Sequence, residues 1–140
     1  MTEINFYTAV ANPLVAAARL TGKAFAQGRR VRVLTPDAET TLLLDKMLWE
    51  LPPESFVPHV TLASPHAGAT PVIVDHAPTH DGVADVLINL GVEPPSFFAR
   101  FERLFEIVGQ DDVISEAGRE RWKFYKARGY NMTHTVMNRS

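Results

Sequence analysis

Apolar residues in the first half of the chain follow two spacings, one typical of strands and one typical of helices. The β-branched and aromatic run at 4–8 (INFYT) predicts a first strand, and the alternation at 30–34 (RVRVL) predicts a second. A helix is expected between them. Asn12 can cap it, Pro13 suits its first position, and Gly28 suits the residue after its last turn.

A second helix is predicted between Asp37, whose side chain can cap it, and the prolines at 52–53, which cannot continue it. Residues 57–62 are then expected to be extended. The stretch 64–70, which contains glycine, proline and serine, is expected to be a loop. The first half of the chain therefore has the order strand, helix, strand, helix.

The second half of the chain has further strands and ends in a long helix. Three apolar runs are predicted to be buried strands: 72–75 (VIVD), 86–90 (VLINL) and 104–108 (LFEIV). Residues 96–102 are predicted to be helical, and so are residues 113–128, which Gly129 follows as a stop. The segment 130–140 is expected to be a loosely held tail.

Strands that alternate with helices are typical of βαβ units, in which helices join parallel strands. The sequence therefore predicts an α/β fold with a mostly parallel sheet and helices on both faces. The 140 residues contain no internal repeat and no long linker, so we expect a single domain over residues 1–140.

Composition narrows the class of protein. Hydrophobic residues make up 46% and charged residues 21%, which is ordinary for a globular domain. There is no cysteine, so disulfides and thiolate metal sites are excluded. The first residues lack the basic and apolar blocks of a signal peptide, and no apolar run reaches the roughly 18 residues of a membrane helix. We therefore expect a soluble, cytoplasmic protein without membrane contact.

The net charge of -2 conceals a basic C-terminal region. Residues 113–140 carry six lysine or arginine and two aspartate or glutamate residues, a balance of +4, while the remainder carries -6. Such a cluster either attracts an anionic partner or forms a solvated helix face. Aromatic residues stand between these charges, and both interpretations stay open.

The motifs of common α/β enzymes are missing from the sequence. The turn at 9–12 has no glycine, and GxGxxG, GxxxxGK[ST] and GxSxG do not occur. Residue types that suit zinc or manganese do cluster in the sequence: His66, Asp75, His76, His80, Asp81 and Asp85. Because the surrounding residues have loop composition, their spacing fixes no geometry, and a polar loop is the alternative to a metal site.

Two segments carry a resemblance to a known family. Residues 44–59 (LDKMLWELPPESFVPH) and 118–132 (GRERWKFYKARGYNM), with the opening strand, resemble the chi subunit of bacterial DNA polymerase III. The resemblance implies a Rossmann-like α/β domain without nucleotide, cofactor or catalysis. It implies a link from the psi subunit of the clamp-loader complex to the acidic C-terminal tail of the single-stranded DNA-binding protein, with DNA contacted only indirectly. Some family members also pair with a helicase-like repair protein.

The resemblance places the tail-binding site on the last predicted helix. It implies that Arg119 clamps the tail, while Val108 and Trp122 line its pocket. The arginine fork matches a carboxylate, and a tail that ends in an aromatic residue needs an apolar wall beside it. The alternatives are an ion pair of Arg119 with Glu116 or Glu120 and packing of Trp122 in the core.

Three more residues of this helix belong to the predicted tail site. Ser115 and Lys126 share a helix face with Arg119 and Trp122. Lys123 and Lys126 are expected to attract the acidic residues of the tail. The family can carry a lysine where this chain has Ser115, so one cation fewer faces the tail and a weaker contact is expected.

The predicted psi-binding site follows the second helix. The resemblance implies contacts with four residues, Trp49, Phe56, Val57 and Pro58. Aromatic residues in a short irregular segment often mark a protein interface. The alternative is that Trp49 and Phe56 cover the local core. His59 beside them is expected to be a hydrogen-bonded structural residue.

Two other functions stay open at this point. Trp122, Tyr125 and Tyr130 stand among basic residues and could stack on the bases of single-stranded nucleic acid, although the acidic remainder of the chain disfavours this. His76 and His80 could instead serve a metal-dependent hydrolase.

Overall fold

A computed structural model describes residues 1–51, 57–67, 70–80 and 85–137. Within these ranges the chain forms seven strands and three α-helices. The strands are β1 (Glu3–Val10), β2 (Val31–Leu34), β3 (His59–Val60), β4 (Val72–Asp75), β5 (Val86–Asn89), β6 (Arg103–Gly109) and β7 (Met132–Val136). The helices are α1 (Pro13–Ala26), α2 (Ala38–Trp49) and α3 (Asp112–Ala127). None of the helices in the described ranges is long and apolar enough to cross a membrane.

All of these strands lie parallel in one sheet, in the order β3-β4-β2-β5-β6-β1-β7. α1 and α2 cover one face, where Ala17 and Leu44 share a core with Val33. α3 covers the other face, where Tyr125 shares a second core with Phe6. This arrangement confirms the predicted α/β fold with helices on both faces.

The α-helices begin and end within about two residues of the bounds that the sequence predicts. Asn12 caps α1 and Asp37 caps α2, and each side chain accepts a first-turn backbone N–H, at 3.3 and 2.7 Å respectively. Gly28 and Gly129 follow α1 and α3 with φ values of +77° and +79°, which residues with a Cβ rarely adopt. Local signals therefore fix these helix boundaries.

Two segments are less regular than predicted. The helix expected at 96–102 is wrong, because this segment forms a single 3₁₀ turn, Phe98–Arg100. Three phenylalanines of the segment are buried on the α3 side of the sheet: Phe97, Phe98 and Phe101. Their burial, rather than helical hydrogen bonding, sets the backbone path. The extended stretch expected at 57–62 is reduced to β3, His59–Val60.

The C-terminal region is not the loosely held tail that was expected at 130–140. β7 adds to the edge of β1 in parallel, with Ile4 opposite Met132. Backbone groups at a sheet edge readily pair with another strand, and the β-branched residues of the run MTHTV suit one. The expectation of a tail is therefore wrong for the residues of β7, and residues 138–140 lie outside the described ranges.

A buried polar cluster joins α3 to the sheet. Glu106 on β6 is fully buried, and its Oε1 lies 3.0 Å from Nε of Arg121, which is 1% exposed. The hydroxyl of Tyr125 donates to Oε2 of Glu106 at 2.5 Å, and the amide of Asn89 donates to both oxygens at 2.9 and 3.2 Å. Burial, followed by the charge of Glu106, raises the pKa of Tyr125, so its hydroxyl stays a donor.

Removing the guanidinium of Arg121 should destabilise the fold, because Glu106 would stay buried without its cation. We expect Arg121→Ala to lower the free energy of unfolding by about 3–5 kcal/mol. Arg119→Ala, which removes an exposed arginine of the same helix, should cost at most about 1 kcal/mol. Urea unfolding followed by circular dichroism measures both values, and equal losses would contradict the central role of the buried pair.

Candidate functional site

Arg119 lies on the exposed side of α3, with 66% of its side chain accessible to solvent. Its Nε and Nη2 both donate to Oε2 of Glu116, at 3.2 and 3.0 Å. The ion pair that the sequence offered as an alternative is therefore present. An exposed pair of this kind contributes at most about 1 kcal/mol, so the guanidinium can exchange Glu116 for a carboxylate of a partner at little cost.

Trp122 is half-buried and bridges α3 and the edge of the sheet. Its ring centroid lies 5.2 Å from that of Phe6 on β1 and 5.9 Å from that of His134 on β7. The contact with Phe6 belongs to the core, as the alternative interpretation expected. His134 was not among the predicted site residues. The alternation of threonine with other residues in its segment, MTHTV, was the signal that could have identified the strand.

Val108 lies beneath α3 and is 3% exposed. A Cβ placed on Gly118 would come within 2.8 Å of Cγ1 of Val108, so the helix sits closely on β6 at this point. Val108 therefore sets the distance between α3 and the sheet. It offers almost no surface in this structure, and its direct contact with a ligand stays a prediction.

Ser115, Arg119, Trp122 and Lys126 lie on one side of α3, and we call this surface the Arg119 face. Ser115 is half-buried, with its Oγ donating to the backbone oxygen of Gly109 at 3.3 Å, while Lys126 is exposed. Beside this face, Nζ of Lys123 lies 3.5 Å from Oε1 of Glu120. Two of the three cations here thus have acidic neighbours on the same helix, and the net positive charge of the face is modest.

The proposed stacking of nucleic-acid bases finds little support in the same region. Tyr125 is 0% exposed and its hydroxyl is held by Glu106, so it cannot contact a base. Tyr130 is half-buried against Phe98, with ring centroids 5.2 Å apart. Trp122 alone of the three predicted stacking residues lies beside exposed cations.

The second predicted surface is at the end of α2, where Trp49 is 60% exposed. Its ring packs edge-on against His59, with centroids 5.3 Å apart. His59 is buried, and its Nδ1 lies 2.6 Å from the backbone oxygen of Val57 while its Nε2 lies 3.1 Å from Oδ1 of Asp45. His59 is thus the structural residue that the sequence predicted, and it holds α2 against the chain that enters β3.

The other predicted members of this surface differ in exposure. Val57 is 2% exposed and belongs to the core beneath α1 and α2, so a direct contact with a partner stays a prediction. Pro58 is half-buried, and Phe56 lies outside the described residues. An apolar groove of about 680 Å³ runs between α1 and α2, lined partly by Met47 and Leu51.

The histidine and aspartate loop after β4 is organised by a buried arginine that sequence reasoning missed. Arg32 on β2 donates to the backbone oxygens of Thr79 at 2.6 Å and Ala77 at 2.7 Å, and its Nη1 lies 3.3 Å from Nδ1 of His80. Burial lowers the pKa of Arg32 to about 10, and Asp75 opposes this effect. The position of this arginine between two valines of a predicted strand was the signal that could have shown that it is buried.

This anchoring separates the candidate metal ligands. His80 is 5% exposed beside the guanidinium of Arg32, whereas the side chain of His76 is 48% exposed. No group of three or more potential ligands comes together within the described ranges, and Asp81 lies outside them. The described part of the loop therefore offers no geometry for a metal-dependent hydrolase.

The chain is similar to known replication proteins over most of its length. A family model described as DNA polymerase III chi subunit, HolC, matches residues 1–133. DNA polymerase III subunit chi of Pseudomonas aeruginosa is 37% identical over 134 residues, 93% of each chain. The subunit from Escherichia coli is 32% identical over 106 residues, 75% of this chain and 72% of its own. That of Haemophilus influenzae is 28% identical over 118 residues, 84% of this chain and 82% of its own.

Asp75 provides a test of the structural role of this loop. Its carboxylate accepts the backbone N–H groups of Leu62 at 2.9 Å and Ala77 at 2.8 Å. Burial raises the pKa of Asp75, but these two bonds and the charge of Arg32 outweigh burial, and the net pKa lies below the ordinary 3.8. The ionised form thus stabilises the fold at neutral pH, and this contribution is lost as the pH falls through the lowered pKa.

We expect Asp75→Asn to lower the free energy of unfolding by about 2 kcal/mol at pH 7, because an amide cannot accept both N–H groups equally well. The difference from the parent should shrink below about pH 4. Urea unfolding between pH 7 and pH 2 measures this, with the exposed Glu120→Gln as control. A difference that stays constant over this range would show that Asp75 does not act through its charge.

Proposed function

Because the chain belongs to the family of the DNA polymerase III chi subunit, a non-catalytic accessory subunit, we propose that it works as an adaptor within the holoenzyme. In this proposal it links the psi subunit of the clamp-loader complex to the acidic C-terminal tail of the single-stranded DNA-binding protein. The observation that carries the proposal is the exposed guanidinium of Arg119 on the same helix face as Trp122.

The Arg119 face has the chemistry that an acidic tail needs. A guanidinium fork binds a terminal carboxylate through two parallel hydrogen bonds, and an indole offers an apolar wall to the last side chain. Lys123 and Lys126 supply further positive charge for the acidic residues before the end. Binding must displace Glu116 from Arg119, so we expect an affinity in the micromolar range that weakens as salt screens the charges.

Arg119→Ala should weaken the binding of an acidic peptide that ends in phenylalanine with a free carboxylate. We expect a loss of at least tenfold, which corresponds to about 1.4 kcal/mol. Fluorescence polarisation with a labelled peptide measures the dissociation constant. Arg19→Ala is the matched control, because it removes an exposed arginine from α1 on the opposite face of the sheet and should leave the affinity unchanged.

Two substitutions near Arg119 should change the affinity for this peptide in the opposite direction. Glu116→Gln removes the competing carboxylate, and Ser115→Lys adds the cation that the family resemblance implies can stand at this position, so both should tighten the binding of the same peptide several-fold. If Arg119→Ala left the affinity unchanged while these two variants strengthened it, the Arg119 face would still be the binding site, but Arg119 would not be the residue that binds the terminal carboxylate.

The proposed contact with psi uses the opposite layer of the fold. Trp49 is an exposed aromatic residue held on His59, and the apolar groove between α1 and α2 lies on the same layer. Aromatic anchors of this kind supply much of the energy of protein interfaces. We place the psi contact at Trp49, Phe56, Val57 and Pro58, with Trp49 as the exposed anchor.

Trp49→Ala should abolish most of the co-purification of the psi subunit with the tagged chain. We expect the affinity for psi to fall at least tenfold, because truncating an aromatic anchor at a protein interface typically costs about 2 kcal/mol or more of binding free energy. Val113→Ala is the control, since Val113 is an apolar residue that is 76% exposed on α3. Equal recovery of psi with both variants would show that Trp49 is not part of the interface.

We also propose a helicase-like repair protein as a candidate partner and the cytoplasm as the place where the chain works, and the family resemblance supports both. In this proposal DNA is contacted through the single-stranded DNA-binding protein and not directly. A gel shift with a single-stranded oligonucleotide, in the absence of any partner protein, tests the competing function of direct nucleic-acid binding.

A further inference from the structure

β7 is an open edge of the sheet beside the Arg119 face. It is the last strand in the order of the sheet and pairs with β1 on one side. Four of its five residues are exposed. Within the described ranges no other strand pairs with its outer side.

The ladder between β1 and β7 shows which backbone groups point outward. The N–H of Ile4 donates to the oxygen of Asn131 at 3.0 Å, and the N–H of Met137 donates to the oxygen of Thr8 at 2.7 Å. In a parallel ladder every second residue of a strand bonds the same neighbour, so the odd-numbered residues of this segment bond β1. The N–H and C=O groups of Met132, His134 and Val136 therefore face away from the sheet.

The composition of β7 does not protect this edge. Natural edge strands are often blunted by proline, lysine or a bulge, and β7 has the sequence MTHTV with an unbroken register to β1. Val136 at its end is 56% exposed. Such an edge can accept an added strand through main-chain hydrogen bonds.

The Arg119 face lies directly above this edge. Trp122 contacts His134, which is fixed in turn by a 2.6 Å contact between its Nε2 and Oγ1 of Thr8. A helix that joins two parallel strands runs opposite to them, so Arg119, one turn before Trp122, lies toward the Val136 end of β7. By the same geometry Lys126 lies toward the beginning of the strand.

We propose that the acidic tail binds as an additional strand, parallel to β7, with its terminal carboxylate at Arg119. This inference rests on the proposed function and specifies how the peptide lies. The order of charges fits it, because a parallel strand places the carboxylate at Arg119 and runs its preceding acidic residues back past Lys126. A segment without structure of its own gains main-chain hydrogen bonds at this edge whatever its sequence, while the cations select an acidic one.

The test uses Val136→Pro, since proline removes an outward N–H and adds a ring on the outer side without losing a bond to β1. Val136→Ala is its control and removes the side chain alone. The probes are two peptides that end in phenylalanine with a free carboxylate, one of four and one of ten residues, both rich in aspartate. Fluorescence polarisation should show Val136→Pro weakening both peptides about tenfold, because the last residues of each peptide lie beside Val136, and Val136→Ala changing neither.

A second measurement on the unaltered chain does not depend on whether the proline variant folds. A ten-residue peptide with N-methyl groups at alternate residues keeps its charge but cannot donate hydrogen bonds from one of its two edges. Methylation in one of the two alternate registers should weaken binding about tenfold, and methylation in the other should have little effect.

The outcomes separate this inference from the proposed function. If the short peptide binds, and neither methylation nor Val136→Pro affects the long one, the added strand is wrong and the adaptor function stands. If neither peptide binds, both the added strand and the proposed function are wrong. If sedimentation shows that the unaltered chain dimerises and Val136→Pro is a monomer, a second copy occupies the edge and the inference is overturned.

Discussion

The buried carboxylate of Glu106 determines where α3 lies on the sheet, and the position of α3 determines which of its side chains face solvent. A charge without water is tolerated only when its partners are all in place, and here they come from α3 and from β5. Arg121 and Tyr125 are one turn apart, so they fix the rotation of the helix as well as its distance from the sheet. Arg119 is then obliged to face outward, since it lies about 200° around the helix from Arg121.

The two arginines show how environment separates one residue type into two roles. Arg121 is 1% exposed, and its Nη1 donates to the backbone oxygen of Val92 at 2.9 Å, in addition to its contact with Glu106. Arg119 has a weak exposed partner that a competing carboxylate can displace. In the proposed function, stability and recognition are therefore carried by opposite sides of a single helix, and a change on the outer side need not disturb the inner one.

Much of this could be predicted from the sequence, where the signals are local. Cap residues and apolar runs gave the helices and most strands, and the spacing along α3 gave the Arg119 face. The failures concern partners that are distant in the sequence. The role of Arg32 depends on a loop more than 40 residues away, and β7 depends on β1 at the other end of the chain. Trp49 and Val57 are both apolar, and their spacing could not show that one is exposed and the other buried.

The two surfaces also lie far apart, which suits an adaptor. Trp49 packs on His59 of β3 at one edge of the sheet, while Trp122 packs on His134 of β7 at the other edge. Six strand spacings separate these edges, roughly 29 Å. The surfaces are also on opposite layers, because α2 and α3 cover different faces. In the proposed function, two partners can therefore bind at the same time without sharing a residue of this chain.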